Sequence, residues 1–208
     1  MAKVDRANYV VHRQEAYEDS PQLSSSLVII KPRILSQVAV FQDDWIRCNY
    51  KCSSYEHLLS YLRPGAKVLD VGSGSGYLVA VLHHLVSPSG KVVGIEHVEE
   101  LVEWSRENML KDGLKDELDS GKIQLIAGDG RKGYPSEGPY DAIHVGAAAP
   151  TVPEALIEQL ASPGRMFIPV GTYMQNILHV DKDAQGNVTQ KEIMGVRYVP
   201  LTDRDSQH

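Results

Sequence analysis

Cysteine is scarce in this sequence: Cys48 and Cys52 are the only two in 208 residues. A CxxxC pair with no further Cys and no neighbouring His cluster is too small for a structural zinc site, so no metal is expected and both read as ordinary reduced thiols. Long apolar runs are missing too. None approaches the roughly 20 residues that would cross a bilayer, and Met1-Ala2-Lys3-Val4-Asp5-Arg6 has neither the apolar stretch of a secretory signal nor the character of a transit peptide. The chain therefore reads as cytoplasmic, with no membrane partner. A basic excess is also absent, since 21 Lys and Arg face 27 Asp and Glu for a net charge of −6. Phosphate neutralisation needs a concentrated basic face, so nucleic acid is not the expected partner. What remains is ordinary for a globular protein, 42% hydrophobic and 23% charged, and long enough to bury one full core without staples.

From residue 67 onward, short β-branched runs alternate with amphipathic stretches, the pattern of βαβ units feeding a mostly parallel sheet. The spacing predicts strands over 67–71, 91–95, 122–126, 140–145 and 165–170. It predicts helices over 76–86, over 98–112 and from about 151, where Pro153 sits in a first turn that needs no N–H from it. Two further strands, 177–180 and 194–199, flank a polar turn at 183–187 and read as an antiparallel hairpin. The expected fold is α/β, a Rossmann-like doubly wound sheet with that hairpin at its C-terminal end. A helix over 53–62 is expected before Pro64-Gly65. Between 23 and 52 no element can be assigned.

The first strand runs into Gly72-Ser73-Gly74-Ser75-Gly76. Glycines let the backbone turn sharply there and approach a ligand that a Cβ would push away. Twenty residues past Gly76, at the end of the second strand, stands Glu96, where a carboxylate can accept from both ribose hydroxyls of a nucleoside. A pyrophosphate would want GxGxxG at a helix N-terminus, whereas here GxGxG follows an acidic strand end, Asp70. That carboxylate would repel a pyrophosphate but can accept from the ammonium of a methionine moiety. The expected cofactor is thus S-adenosyl-L-methionine. Gly128-Asp129-Gly130 after the third strand supplies a third corner, where Asp129 could take the adenine amine, although an Asp-Gly pair is more often a plain turn.

Three stretches carry a more specific signal: 69–77 with Leu-Asp-Val-Gly-Ser-Gly-Ser-Gly-Tyr, 128–134 with Gly-Asp-Gly-Arg-Lys-Gly-Tyr, and 140–150 with Tyr-Asp-Ala-Ile-His-Val-Gly-Ala-Ala-Ala-Pro. Together with Pro153, the run 164–171 and Tyr198-Val199-Pro200-Leu201-Thr202-Asp203, they resemble the protein-L-isoaspartate O-methyltransferase family. Residues 3–9 and 17–22 resemble that family's N-terminal, substrate-side segment. The resemblance implies methyl transfer to the α-carboxylate of L-isoaspartyl residues in damaged proteins, which initiates repair through a succinimide. It implies isoaspartyl proteins and peptides as partners and a monomer in solution. It also places Ser73, Glu96, His97, Gly128, Asp129 and Thr202 on positions used for the cofactor or its cover, beside Asp70, Gly72, Gly74 and Gly76. Judged without the resemblance, His97 and His144 read as core or strand-end histidines, and for His144 that is the preferred reading.

The resemblance divides the single domain into a substrate-side segment (1–22), a divergent segment (23–52) and a cofactor-binding core (53–203). After Gln22 the family carries Thr-Ile-Ser-Ala-Pro-His with its active-site serine, and Leu23-Ser24-Ser25-Ser26 stands here instead. No catalytic side chain is assigned, and Ser53 and Ser54 lie outside the matching motif. The abrupt edges of the mismatch point to a retained intron or alternative transcript. Two alternatives stay open: a methyltransferase with another acceptor, and a non-catalytic adapter that binds the cofactor or isoaspartyl protein without turnover.

Overall fold

The computed structural model describes residues 4–10, 60–198 and 200–201. The divergent segment, both cysteines and Thr202 lie outside them. Of the helix expected over 53–62 only the last three residues are described, and 60 and 61 form a turn.

Among the described residues a seven-stranded sheet runs in the order β3-β2-β1-β4-β5-β6-β7. Its strands are β1 (Lys67–Val71), β2 (Lys91–Glu96), β3 (Ile123–Ala127), β4 (Tyr140–Val145), β5 (Leu160–Val170), β6 (Gln175–Lys182) and β7 (Val188–Val196). β1 to β5 are parallel; β6 and β7 pair antiparallel at the end of the sheet. Helices α1 (Tyr77–Val86) and α2 (Glu99–Lys111) follow β1 and β2, with shorter α3 (Lys115–Asp119) and α4 (Glu154–Glu158). The sheet buries both faces, as parallel sheets must. Val68, Val92, Ile123 and Ala142 pack with Leu78, Leu82, Val102 and Met109 in one layer; Leu69, Val93, Ile143 and Met166 pack with Leu156 and Leu160 in the other.

The expected strands and helices stand where hydrophobic periodicity put them, with three corrections. The last helix starts at Glu154 with Pro153 as its N-cap. β5 begins at Leu160, five residues before the expected start. In the hairpin, β7 covers 188–196 instead of 194–199. Its first five residues are all exposed, so an edge strand with no apolar face gave no period-2 signal to read. The 183–187 turn is as expected: Asp183 accepts from the Gln185 and Asn187 backbone N–H groups, at 2.9 and 2.8 Å.

Near the N-terminus, Val4 and Tyr9 enter the α1/α2 layer. Tyr9 packs edge-on against Tyr77 with ring centroids 5.6 Å apart. Asp112, the C-cap of α2, accepts from the Tyr9 hydroxyl at 3.0 Å and the Asn8 amide at 2.8 Å. At the other end, Gln175 holds Tyr198 by two side-chain hydrogen bonds, accepting from its N–H and donating to its carbonyl at 2.9 Å. Leu201 N–H donates to Ala148 at 2.8 Å, tying the tail to the loop after β4. Among the described residues, no helix is long and apolar enough to cross a membrane.

Candidate cofactor and active site

The strand order reverses between β1 and β4. Open α/β sheets bind ligands outside the carboxyl ends of their strands at such a switch point. The carboxyl ends of β1, β2, β3 and β4 carry Gly72, Glu96, Gly128 and Gly146 respectively. The turn after β1 is clamped to its neighbour, since the N–H groups of Gly72 and Ser73 both donate to the Ile95 carbonyl, at 2.8 and 3.2 Å.

Gly76 caps α1 at φ +82, and a Cβ there would lie 2.8 Å from Met109 Cε and 3.0 Å from Ser105 Cβ. Only glycine combines that left-handed backbone with so close an approach of α2. The turn therefore leads into α1 at a fixed distance from the helix that follows Glu96.

Glu96 is buried, and its carboxylate organises the loops on both sides. Oε2 accepts from Gly74 N–H at 3.1 Å. Oε1 accepts from the N–H groups of His97 and Val98, at 2.8 and 3.3 Å, and His97 Nδ1 lies 2.8 Å from the same oxygen. With about four acceptor sites on a carboxylate, Oε2 keeps capacity for a further donor.

Asp129 accepts from Arg131 N–H at 3.0 Å and takes the Arg131 guanidinium on both oxygens at 2.9 Å. Hydrogen bonding from Arg131 holds its carboxyl below the usual carboxylate range. The Arg131 fork around Asp129 had no signal in the spacing.

Asp70 and His144 meet deep in the site. They are register partners across β1 and β4, with Nδ1 2.7 Å from Oδ1 and side chains 1% and 4% exposed. His144 is a buried strand-end histidine, as its sequence context predicts, but its partner lies 74 residues away. No local pattern could name that partner; the sheet register does. Asp70, Gly72, Ser73, Gly74, Gly76, Glu96, His97, Gly128 and Asp129 thus all sit at the carboxyl edge of β1, β2 and β3.

A family model described as Protein-L-isoaspartate(D-aspartate) O-methyltransferase matches residues 1–206. The protein-L-isoaspartate O-methyltransferase of Triticum aestivum is 42% identical over 208 residues, covering 100% of this chain and 84% of its own length. That of Caenorhabditis elegans is 40% identical over 210 residues, with the same two coverages of 100% and 84%. A crystal structure of a candidate protein-L-isoaspartate O-methyltransferase from Plasmodium falciparum, in complex with S-adenosyl-L-homocysteine, superposes with a TM-score of 0.73 at 29% identity, over 98% of this chain and 88% of that one. On a family match that runs nearly from end to end, and relatives 42% and 40% identical that cover the whole chain, the chain belongs to the protein-L-isoaspartate (D-aspartate) O-methyltransferase family.

Proposed function

We propose that this protein transfers a methyl group from S-adenosyl-L-methionine to the α-carboxylate of L-isoaspartyl residues in damaged polypeptides. The family match over 1–206 carries this reading. The donor supplies an electrophilic methyl on sulfonium sulfur when bound.

The residues at the switch point fit such a donor. Asp70 Oδ2 is buried with no hydrogen-bond partner among the described residues, and an unpaired buried carboxylate oxygen is unfavourable until a donor reaches it. An ammonium on a methionine moiety would satisfy it. Gly72, Ser73, Gly74 and Gly76 would let the backbone close on that end. Glu96 and His97 would take the ribose through the capacity left on Oε2, and Gly128 and Asp129 would border the adenine. Thr202 lies outside the described residues, and the family resemblance gives it a place at the cofactor or its cover.

The acceptor needs little from the protein. A carboxylate with an ordinary pKa of about 4 is ionised at neutral pH, so no general base is required, and displacement at the methyl depends on proximity and alignment. We further propose that one domain, acting as a monomer in the cytoplasm, carries the reaction, with 1–22 on the acceptor side.

The test follows labelled methyl from S-adenosyl-L-methionine into an isoaspartyl peptide and its normal aspartyl twin. Base-labile ester on the isoaspartyl peptide alone is expected. Ester on neither, from folded protein, would refute the reading; donor binding without transfer would leave an adapter.

A further inference from the structure

One transverse row of residues crosses the sheet at the switch point. The registers set Gly94 beside Asp70, Asp70 beside His144, His144 beside Phe167, and Phe167 beside His179. Residues opposite one another in neighbouring strands share a face, so the row lies in the α1/α2 layer. Gly94 closes one side of Asp70: a Cβ there would come within 2.9 Å of Val79 and 3.0 Å of Ser73. On the other side stands His144.

The imidazole is held by an edge and a face. Nδ1 meets Asp70 Oδ1 at 2.7 Å, and the ring stacks on Phe167 with centroids 5.7 Å apart and planes 18° apart. A carboxylate that receives an ammonium can only accept, so with an ammonium on Asp70 it is Nδ1 that donates the shared hydrogen. Phe167 sets the plane of the ring, and the ring in turn fixes Oδ1. The second oxygen, Oδ2, is buried and takes no hydrogen bond from the described residues.

We infer that His144 is a positioning residue for the donor: it fixes the Asp70 carboxylate so that Oδ2 receives the ammonium of the methionine moiety. The inference rests on the donor reading given above. A histidine that only filled the core would, when replaced, weaken every ligand of the pocket alike. A positioning histidine weakens only ligands that carry the amino-acid end.

Calorimetric titration of the full chain with S-adenosylhomocysteine and with 5′-methylthioadenosine, which lacks that end, separates the two. His144→Leu cannot donate, whereas His144→Asn carries an amide nitrogen near the place of Nδ1. Loss of a hydrogen bond that orients a charged group predicts a weakening for S-adenosylhomocysteine of about 10- to 50-fold in His144→Leu, and less than about threefold for methylthioadenosine. His144→Asn should recover most of the loss, and His144→Leu should add nothing to Asp70→Asn. Equal losses on both ligands, no loss on S-adenosylhomocysteine, or full additivity with Asp70→Asn would overturn the role. Should His144→Leu fail to fold, His144→Phe, which keeps a ring against Phe167 but cannot donate, takes the same test with the same outcomes. An unaltered chain that binds neither ligand overturns the donor reading and this inference with it; normal binding with unchanged selectivity in the variants overturns the inference alone.

Discussion

Gly76 and Gly113 have nearly the same backbone, φ +82 and +81, in opposite surroundings. Around Gly113 nothing lies within 4 Å of an added Cβ, whereas at Gly76 it would meet Met109 Cε at 2.8 Å and Ser105 Cβ at 3.0 Å. Alanine at either site pays for a left-handed backbone, about 1–2 kcal/mol. At Gly76 the end of Met109 can swing aside, but Ser105 Cβ is fixed to α2, so the two helices must part by a few tenths of an ångström. Such overpacking adds about 1–3 kcal/mol. Gly76→Ala should therefore lose about 2–5 kcal/mol and Gly113→Ala about 1–2 kcal/mol, against a total stability of about 5–15 kcal/mol for a typical domain. Urea unfolding followed by circular dichroism measures both, with equal slopes as the condition for comparing midpoints. Values within about 0.5 kcal/mol of each other would show that α1 and α2 do not meet at Gly76 as described, and would refute the reasoning.

Glu96→Gln places an amide where backbone N–H groups now donate; the affinity for S-adenosylhomocysteine should fall by about 10- to 100-fold, and calorimetry showing no change would remove Glu96 from the site. Burial holds the His83 imidazole below its usual range despite Glu117 at 4.0 Å. The unfolded chain then binds more protons near its ordinary value of about 6.5, so stability is present above that pH and is lost as pH falls through it. His83→Gln should flatten the melting temperature between about pH 5 and 7, and an unaltered slope would count against it. Burial, aided by Asp112, pushes the Tyr9 phenol up. Stability is then intact below about pH 10 and lost as pH climbs further. Tyr9→Phe should cost about 1 kcal/mol at neutral pH and lessen the alkaline loss, leaving the part due to Tyr140, which burial also raises; chemical unfolding at both pH values reads the difference.

The sheet was legible wherever burial left a pattern. β1, β2 and β4 are buried on nearly every residue and show as β-branched runs, β3 at the sheet edge shows by alternation, with Ile123 and Leu125 buried, and α1 and α2 show their apolar faces. α3, with five residues and none buried, offered no periodicity. β7 offered none either, because exposure on both faces frees its residues from alternation. In the candidate site, the positions of Asp70, Glu96 and the glycine turn at strand ends were readable because strand ends and sharp turns constrain residue type locally. The Asp70–His144 contact and the Gln175 hold on Tyr198 were not, since each joins residues that only the strand registers and the folded tail bring together. The glycines at 94 and 130 belong to the same class, being set by Val79 and Val71 across the fold.

The row through Gly94, Asp70, His144 and Phe167 makes the site intolerant of a change in count. Side chains alternate faces along a strand, so one residue inserted within β1 before Asp70 would turn its carboxylate into the apolar layer of Leu69 and Val71 and send an aliphatic neighbour to face His144. One insertion in β4 before His144 would do the same to the imidazole. The connections at the opposite edge of the sheet, such as 87–90 and 120–122, carry no such phase. Drift in length among descendants of this sequence should gather there, while the four residues keep their spacing to the ends of their strands.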